Sequence, residues 1–257
     1  MGQVTASAKR AFKEFLRERA ALSWVIAWPI IWVLISSFVF AGETPGSVIP
    51  QARGSITVSM MFFAVMIAAM ASVPGNVAED GERGMLSKLR SMAVDPWRDV
   101  TGRMLGLLVF SSLAASLVLA VGYAVGGRLS LTLLETCLSI GFFLIVFLSS
   151  AGIGMVIGTV IKHTQGAIMT GVSISVLTAS ISGIFAPYST LPNFLQQFAR
   201  AYPISSAKSS IDFLSGGEKL AGYNPLTPGH VGLMIGLSIL LFAVGLILYS
   251  KIRWKYG

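Results

Sequence analysis

Charge is what this sequence has little of: Asp, Glu, Lys and Arg make up 12% of its 257 residues, about half the share found in soluble domains. That excludes an ordinary water-borne fold. There is one cysteine, Cys137, inside an apolar segment, which excludes an intramolecular disulfide and a cysteine metal cluster. Histidine occurs twice, at His163 and His230, with no H-E-x-x-H spacing for zinc. No G-x-x-x-x-G-K-[ST] occurs either, so the chain does not cradle ATP phosphates by that route. A TVGYG selectivity filter is missing. The acids fall in loops or tails, apart from Glu135 near a span end, whereas proton- or sodium-driven carriers place ionisable groups at mid-membrane. No catalytic residue and no metal site emerge, and there is no repeat, low-complexity tract or soluble domain.

What is present is oil. Hydrophobic residues reach 54% and mean hydropathy is +0.76. Several apolar runs attain the roughly 20 residues a helix needs to cross a bilayer core. The alternating ten-residue segments of a transmembrane barrel are absent. The fold class is therefore an all-α polytopic membrane protein. Formal net charge is +8 and pI about 9.9, which in a soluble protein would point to nucleic acid. Here the Lys and Arg sit mostly in short loops and tails, where they act as orientation signals beside anionic lipid. Membrane lipids, and not nucleic acid, are the partners this charge implies.

Residues 1–20 read as an amphipathic helix lying in the membrane interface. Val4, Ala8, Ala11, Phe12, Phe15 and Leu16 recur at helical spacing, with Lys9, Lys13 and Arg17 on the other side. Six spans are expected, at 21–41, 55–74, 103–125, 131–161, 166–185 and 231–249, forming one transmembrane domain. The first apolar run is longer than a signal peptide's core and is read as a retained span. It carries Trp24, Trp28 and Trp32 along one side, and Pro29 is expected to kink it. The fourth is long, so it either tilts or begins at the interface near Glu135, with the carboxylate reaching water. Gly pairs at G-x-x-x-G spacing (102/106, 122/126, 154/158 and 232/236) predict close helix packing. Six spans put both termini on one side. That side receives 14 of the 19 Lys and Arg, so both termini are expected to be cytoplasmic, with the chain in the plasma membrane.

Residues 79–97 are the most charged run. Met85, Leu86, Leu89 and Met92 form a small apolar strip there, while Lys88 and Arg90 keep the segment wet. Asp95 and Pro96 suit the N-cap and first turn of the next helix. A short cytoplasmic helix with an exposed Met/Leu strip suits a partner's groove. The pattern E-x-x-x-G-x-L-x-x-L followed by Pro, from Glu79 or Glu82 through Gly84, Leu86 and Leu89 to Pro96, resembles the signature of type-2 ATP-binding-cassette exporter permeases. Met85 stands where that family commonly has Thr. A second element supports the resemblance. Ser182, Gly183, Pro187, Leu191, Pro192, Leu195 and Pro203 match the family's segment after its fifth span. Independently of the family, Leu191, Phe194, Leu195 and Phe198 make one apolar stripe, and Ile204, Ala207, Ile211 and Leu214 make another. Residues 186–230 thus read as two short helices dipping into the outer leaflet and returning.

The resemblance implies a permease subunit with no enzymatic activity of its own. Two copies, as a homodimer or paired with a related permease, would join two copies of a cassette ATPase that binds the ATP and magnesium; this chain binds no cofactor. A coupling surface is implied at Glu79, Glu82, Arg83, Gly84, Leu86, Leu89 and Arg90, with a second contact at Lys162 and His163. An exit gate is implied at Pro187, Leu191, Pro192, Phe194, Leu195, Phe198 and Pro203. Thr170, Ser173, Ser175 and Thr178 on span five either face the substrate path or serve as interhelical glue. Sparse charge suits a drug-like, amphipathic or lipid-like cargo. The alternatives are export of a lipid-linked glycan and a non-transport scaffold or assembly subunit.

Overall fold

The computed structural model describes residues 2–17, 23–39, 49–85, 91, 96–186 and 188–253. Among these there are helices and turns but no strand. In chain order the helices are α1 (Gly2–Arg17), α2 (Ser23–Val39), α3 (Ile49–Glu82), α4 (Pro96–Ala124), α5 (Leu133–Val160), α6 (Thr164–Ile181), α7 (Asn193–Ala201), α8 (Pro203–Gly216), α9 (Glu218–Ala221) and α10 (Pro228–Leu248). Five of them, α3 to α6 and α10, are long and apolar enough to cross a membrane; α2 is apolar but shorter.

Helix α3 is the hub. It is apolar on every side from Met60 to Ala71, and a helix of that kind is stable only inside a bundle; all of these residues but the half-buried Met61 are buried. It is also far longer than the expected 55–74, running on to Glu82. The first acids of the charged run therefore continue the helix.

Two π-helical segments have a common cause. Ser23–Ala27 ends two residues before Pro29, and Ala68–Ser72 ends two residues before Pro74. A helical proline offers no N–H to the carbonyl four residues back and crowds it. Those carbonyls belong to Val25 and Met70, each in the middle of its π segment. The wide turn absorbs the clash without breaking the helix. The segment in α3 is clasped on two sides: a Cβ at Gly154 would run into the Ala69 carbonyl, and one at Gly171 into the Met70 carbonyl.

Helix α1 turns part of its apolar face to the bundle. Ala11 and Phe15 are buried against α4, Phe15 stacks on Phe110 with ring centroids 5.5 Å apart, and Gly102 and Gly106 open the groove that receives Ser7 and Ala8. One of the G-x-x-x-G pairs thus seats the N-terminal helix, while Gly154 and Gly158 seat α3. Gly232 and Gly236 meet nothing within 4 Å.

Helix α5 starts with a capping box. The Glu135 carboxylate accepts from the Thr132 backbone N–H (2.7 Å) and hydroxyl (2.8 Å). That fixes the helix start and occupies the acid that the sequence places near a span end. At the same end, the Arg53 guanidinium donates to the Ser37 carbonyl (3.1 and 3.2 Å) and the Val125 carbonyl (2.8 Å). Arg53 so caps α2 and α4 together, satisfying carbonyls their own helices leave unpaired. This end, which also carries α7, α8 and α9, is termed the far end. The near end holds α1, Glu82, Asp99 and Tyr249.

The two expected far-end stripes behave differently. Ile204, Ala207 and Ile211 are buried, but so is nearly every side of α8, including Lys208 and Asp212. It is an inserted helix packed against α3, α5 and α10, and not an amphipathic one with a wet face. The stripe at α7 is split instead: Leu191 is buried with Leu195 packed beside it, while Phe194 is 70% exposed and Phe198 38%.

Candidate functional site

At the near end the chain gathers four charged side chains from three helices. Asp80 sits one turn beyond Val77 and two beyond Val73, on the buried face of α3. Its Oδ1 accepts from Arg10 Nη2 of α1 at 2.7 Å, and its Oδ2 pairs with Arg103 Nη2 of α4. Arg103 Nε pairs with Asp99 Oδ2 at 2.7 Å, one helical turn back. The Ser7 hydroxyl donates to Asp99 Oδ1 at 3.1 Å, and the Tyr249 hydroxyl lies 3.5 Å from Asp99 Oδ2. Asp80, Asp99 and Arg103 are all at least nine-tenths buried. Charges here alternate in sign, so each desolvated ion faces opposite partners, the condition under which a buried ionic network is tolerated. Arg10 also pairs with Glu14 at 2.7 Å toward solvent. Burial works to lower the Arg10 pKa; Asp80 and Glu14 outweigh it, so the group titrates above its ordinary value. The cluster ties the ends of α1, α3, α4 and α10 into one body.

The sequence reading passed over this network. Its signals were present: Asp80 continues the Val73–Val77 face at helical spacing, Asp99 and Arg103 are four apart, and Arg10 borders the apolar side of α1.

A few ångströms of chain further on, Glu82 ends α3. Its Oε2 accepts from the Thr164 hydroxyl at 2.6 Å and its Oε1 from the Thr164 backbone N–H at 3.2 Å. The carboxylate therefore caps α6, whose first N–H groups have no partner in their own helix. His163 Nδ1 approaches Glu82 Oε1 at 3.5 Å. Glu79 pairs with Arg83 at 2.5 Å on the outside of the same turn, and Gly84 takes φ +65°, a left-handed conformation that favours glycine. Of the sequence-predicted coupling residues, Glu79, Glu82, Arg83, Gly84 and His163 are thus brought together, and Lys162 is exposed beside them. Leu86, Leu89 and Arg90 lie outside the described residues, as does nearly all of the expected helix between Gly84 and Pro96. A cleft of about 460 Å³ opens between α1 and this turn, walled by Arg10, Glu14, Arg17, Glu79 and Arg83.

The span-five hydroxyls do not share one face. Ser173 is exposed and Thr170 half-buried. Ser175 is buried and donates back to the Gly171 carbonyl at 2.8 Å, and Thr178 does the same to Ile174 at 2.7 Å, the back-bonding habit of helical Ser and Thr. The exposed side of α6 carries Met169, Ser173 and Leu177; that of α2 carries Trp28, Ile31 and Phe38.

At the far end the predicted gate residues surround a separate small core. Tyr188, Leu191, Ala199 and Tyr223 are buried together with Leu195 against them. Arg200 Nε donates to the Tyr188 hydroxyl at 2.6 Å, and its guanidinium lies 5.7 Å from the Tyr188 ring centre and 5.1 Å from that of Tyr223. Pro192 caps α7 and Pro203 begins α8, the position where a missing N–H costs nothing. Pro187 lies outside the described residues. Among the described residues no group of His, Cys, Asp and Glu could hold a metal ion.

Five helices long and apolar enough to cross a membrane, tied by buried ion pairs at one end and packed with short helices at the other, define a polytopic helical membrane bundle. The family model for ABC-2 type transporters matches residues 2–211. The chain belongs to that family, as a membrane domain of a transporter. No curated protein matches the chain.

Proposed function

We propose that this chain is the transmembrane permease subunit of an ABC exporter, driven by ATP hydrolysis in a separate nucleotide-binding subunit. Two copies of each make the assembly, with ATP and magnesium held by the partner. The near end faces the cytoplasm, an orientation that the excess of Lys and Arg there supports, and the membrane is the plasma membrane. Helix α2 is the sixth crossing, α1 lies in the inner interface, and α7 with α8 re-enters from outside.

The observation that carries this reading is the double anchoring of the turn that ends α3. Closure of the ATPase pair pushes on residues 79–92. The push is not absorbed locally, because Asp80 is held to Arg10 and Arg103, and Glu82 to Thr164. It passes into α1, α4 and α6 as a unit. The π segment Ala68–Ser72 is the place in α3 where the near half can swing against the far half. Cargo moves between two copies, along the exposed faces of α2 and α6. Those faces are apolar and aromatic with sparse hydroxyls, which suits a drug-like or lipid-like molecule.

The test is isolation of the tagged chain from its native membrane in mild detergent. A cassette ATPase should co-purify, and its hydrolysis rate should rise in the complex. A chain that moves cargo without any nucleotide-hydrolysing companion overturns the proposal.

A further inference from the structure

Helices α4 and α5 are joined by the short turn at 125–132 and both pack on α3, yet they scarcely touch each other. Consecutive helices with so short a connection normally lie side by side. Between these two runs a groove of about 380 Å³, floored by Val58 and Met61 of α3 and by Ile211 of α8. Its α4 wall, from Ser112 through Ser116 and Leu119 to Tyr123, repeats every third or fourth residue. Its α5 wall, from Thr136 through Ser139 to Phe143, does the same. Such faces are the ones by which two helices interlock; here they confront a gap.

The lining indicates what fills it. No charged residue borders the groove. The hydroxyls of Ser116, Thr136 and Ser139 donate back to the carbonyls of Ser112 (2.8 Å), Thr132 (2.9 Å) and Glu135 (2.8 Å). Those protons are spent within their own helices, so the walls offer a ligand mostly carbon. From Ser112 to Tyr123 the helix rises about 16 Å, about half of the roughly 30 Å hydrocarbon core. Tyr123, at the far end, is 40% exposed, an amphipathic ring suited to the headgroup level. The groove therefore runs from the far interface to mid-bilayer, the reach of one lipid tail. A helix of the same length, about 10 Å wide, would fill roughly 1,250 Å³, far more than the space between the walls.

We propose that this groove is a lipid site. One acyl chain of a far-leaflet phospholipid lies between α4 and α5 and supplies the contact they do not make, with its headgroup at the level of Tyr123. The site stands apart from the faces assigned to cargo. On α3, Ala52, Ile56 and Met60 look toward α2 and the turn after α6, whereas Val58 and Met61 lie on the other side of the helix. The inference thus goes beyond the export reading and fails or stands without reference to an ATPase.

The experiment titrates the full chain, purified in mild detergent and stripped of loosely held lipid, with dipalmitoyl phosphatidylcholine under native mass spectrometry. One lipid per chain should stay bound after the others are lost, and it should raise the chain's melting temperature. Dihexanoyl phosphatidylcholine has the same headgroup and tails too short to reach Ser112; it should bind at least tenfold more weakly. Ser116 is exposed toward the groove, so Ser116→Trp should fold, and by filling the groove it should cut retention at least fivefold. Leu117→Trp, also exposed but outside the lining, should leave retention unchanged. Retention that survives Ser116→Trp, or falls equally in Leu117→Trp, overturns the site. Equal binding of the short-tailed lipid by the parent chain overturns it without any variant, since the headgroup and not the groove would then hold the lipid. Loss of a second copy of the chain, in place of a lipid, on Ser116→Trp would make the groove a protein interface and would equally overturn the proposal.

Discussion

Replacing Asp80 with Asn removes the charge at the centre of the near-end network while keeping its shape. Arg103 keeps Asp99 and Arg10 keeps Glu14, so neither cation is wholly stranded. Arg103 is nearly enclosed, its side chain 11% exposed; breaking a buried pair of that kind costs about 3–5 kcal/mol. Arg10 is more than a third exposed, so its share is about 0.5–1 kcal/mol after screening. With about 2–4 °C per kcal/mol for a chain of this size, the variant's thermal midpoint in nanodiscs should fall by roughly 7–24 °C. Amide exchange in α1 should quicken at the same time, because α1 loses its tie to α3 and keeps only its seat on α4. The control is Glu79→Gln, which breaks the outer pair with Arg83, 37% and 72% exposed; it should cost at most about 1 kcal/mol. If Asp80→Asn proves no more harmful than Glu79→Gln, the network is not an anchor and the transmission argument built on it falls.

Three further outcomes follow from the same geometry. Gly171→Leu should prevent stable folding, since its side chain must displace the Met70 backbone, whereas Gly232→Leu, with open space around it, should leave the melting temperature of the single chain unchanged; yields and thermal melts of the two decide this. Glu82→Ala should quicken amide exchange at Thr164–Ala167 without lowering the global midpoint, because it uncaps α6 and touches nothing in the core. Arg200→Gln should destabilise the far-end cap by about 1–3 kcal/mol through loss of a bond to a charged group and a ring contact, seen as new protease cleavage within 188–230 and no change at the near end.

The crossings were legible because apolar length is a crude and robust signal: the centres of α4, α5, α6 and α10 fall where hydropathy places them. What escaped was anything decided between elements. Asp80 looked like one more solvated acid in a charged run, since nothing local says that α3 continues eight residues past the expected end and turns that acid inward. Lys208 and Asp212 were hidden in a segment whose Ile204–Ala207–Ile211 spacing read as one-sided, because Ser205, Ser206, Ser209 and Ser210 pass for a wet face while packing as small residues. Glycine pairs signalled close approach correctly at 154/158, but the sequence had no means of telling that 102/106 receives α1. Pro29 foretold distortion, whereas Pro74 read as the end of a span; that both answer with a π turn two residues earlier depends on neighbours that hold the helix together.

The account rests on work passing from another polypeptide into the turn after α3. Proteoliposomes holding the chain with its co-purified ATPase measure that directly, with ATP hydrolysis and cargo efflux followed together. In the Leu86→Asp/Leu89→Asp variant, correctly inserted and as stable as the parent, stimulated hydrolysis and efflux should both be lost. Efflux that continues at the parent rate in that variant, or in vesicles lacking the ATPase, would contradict the account.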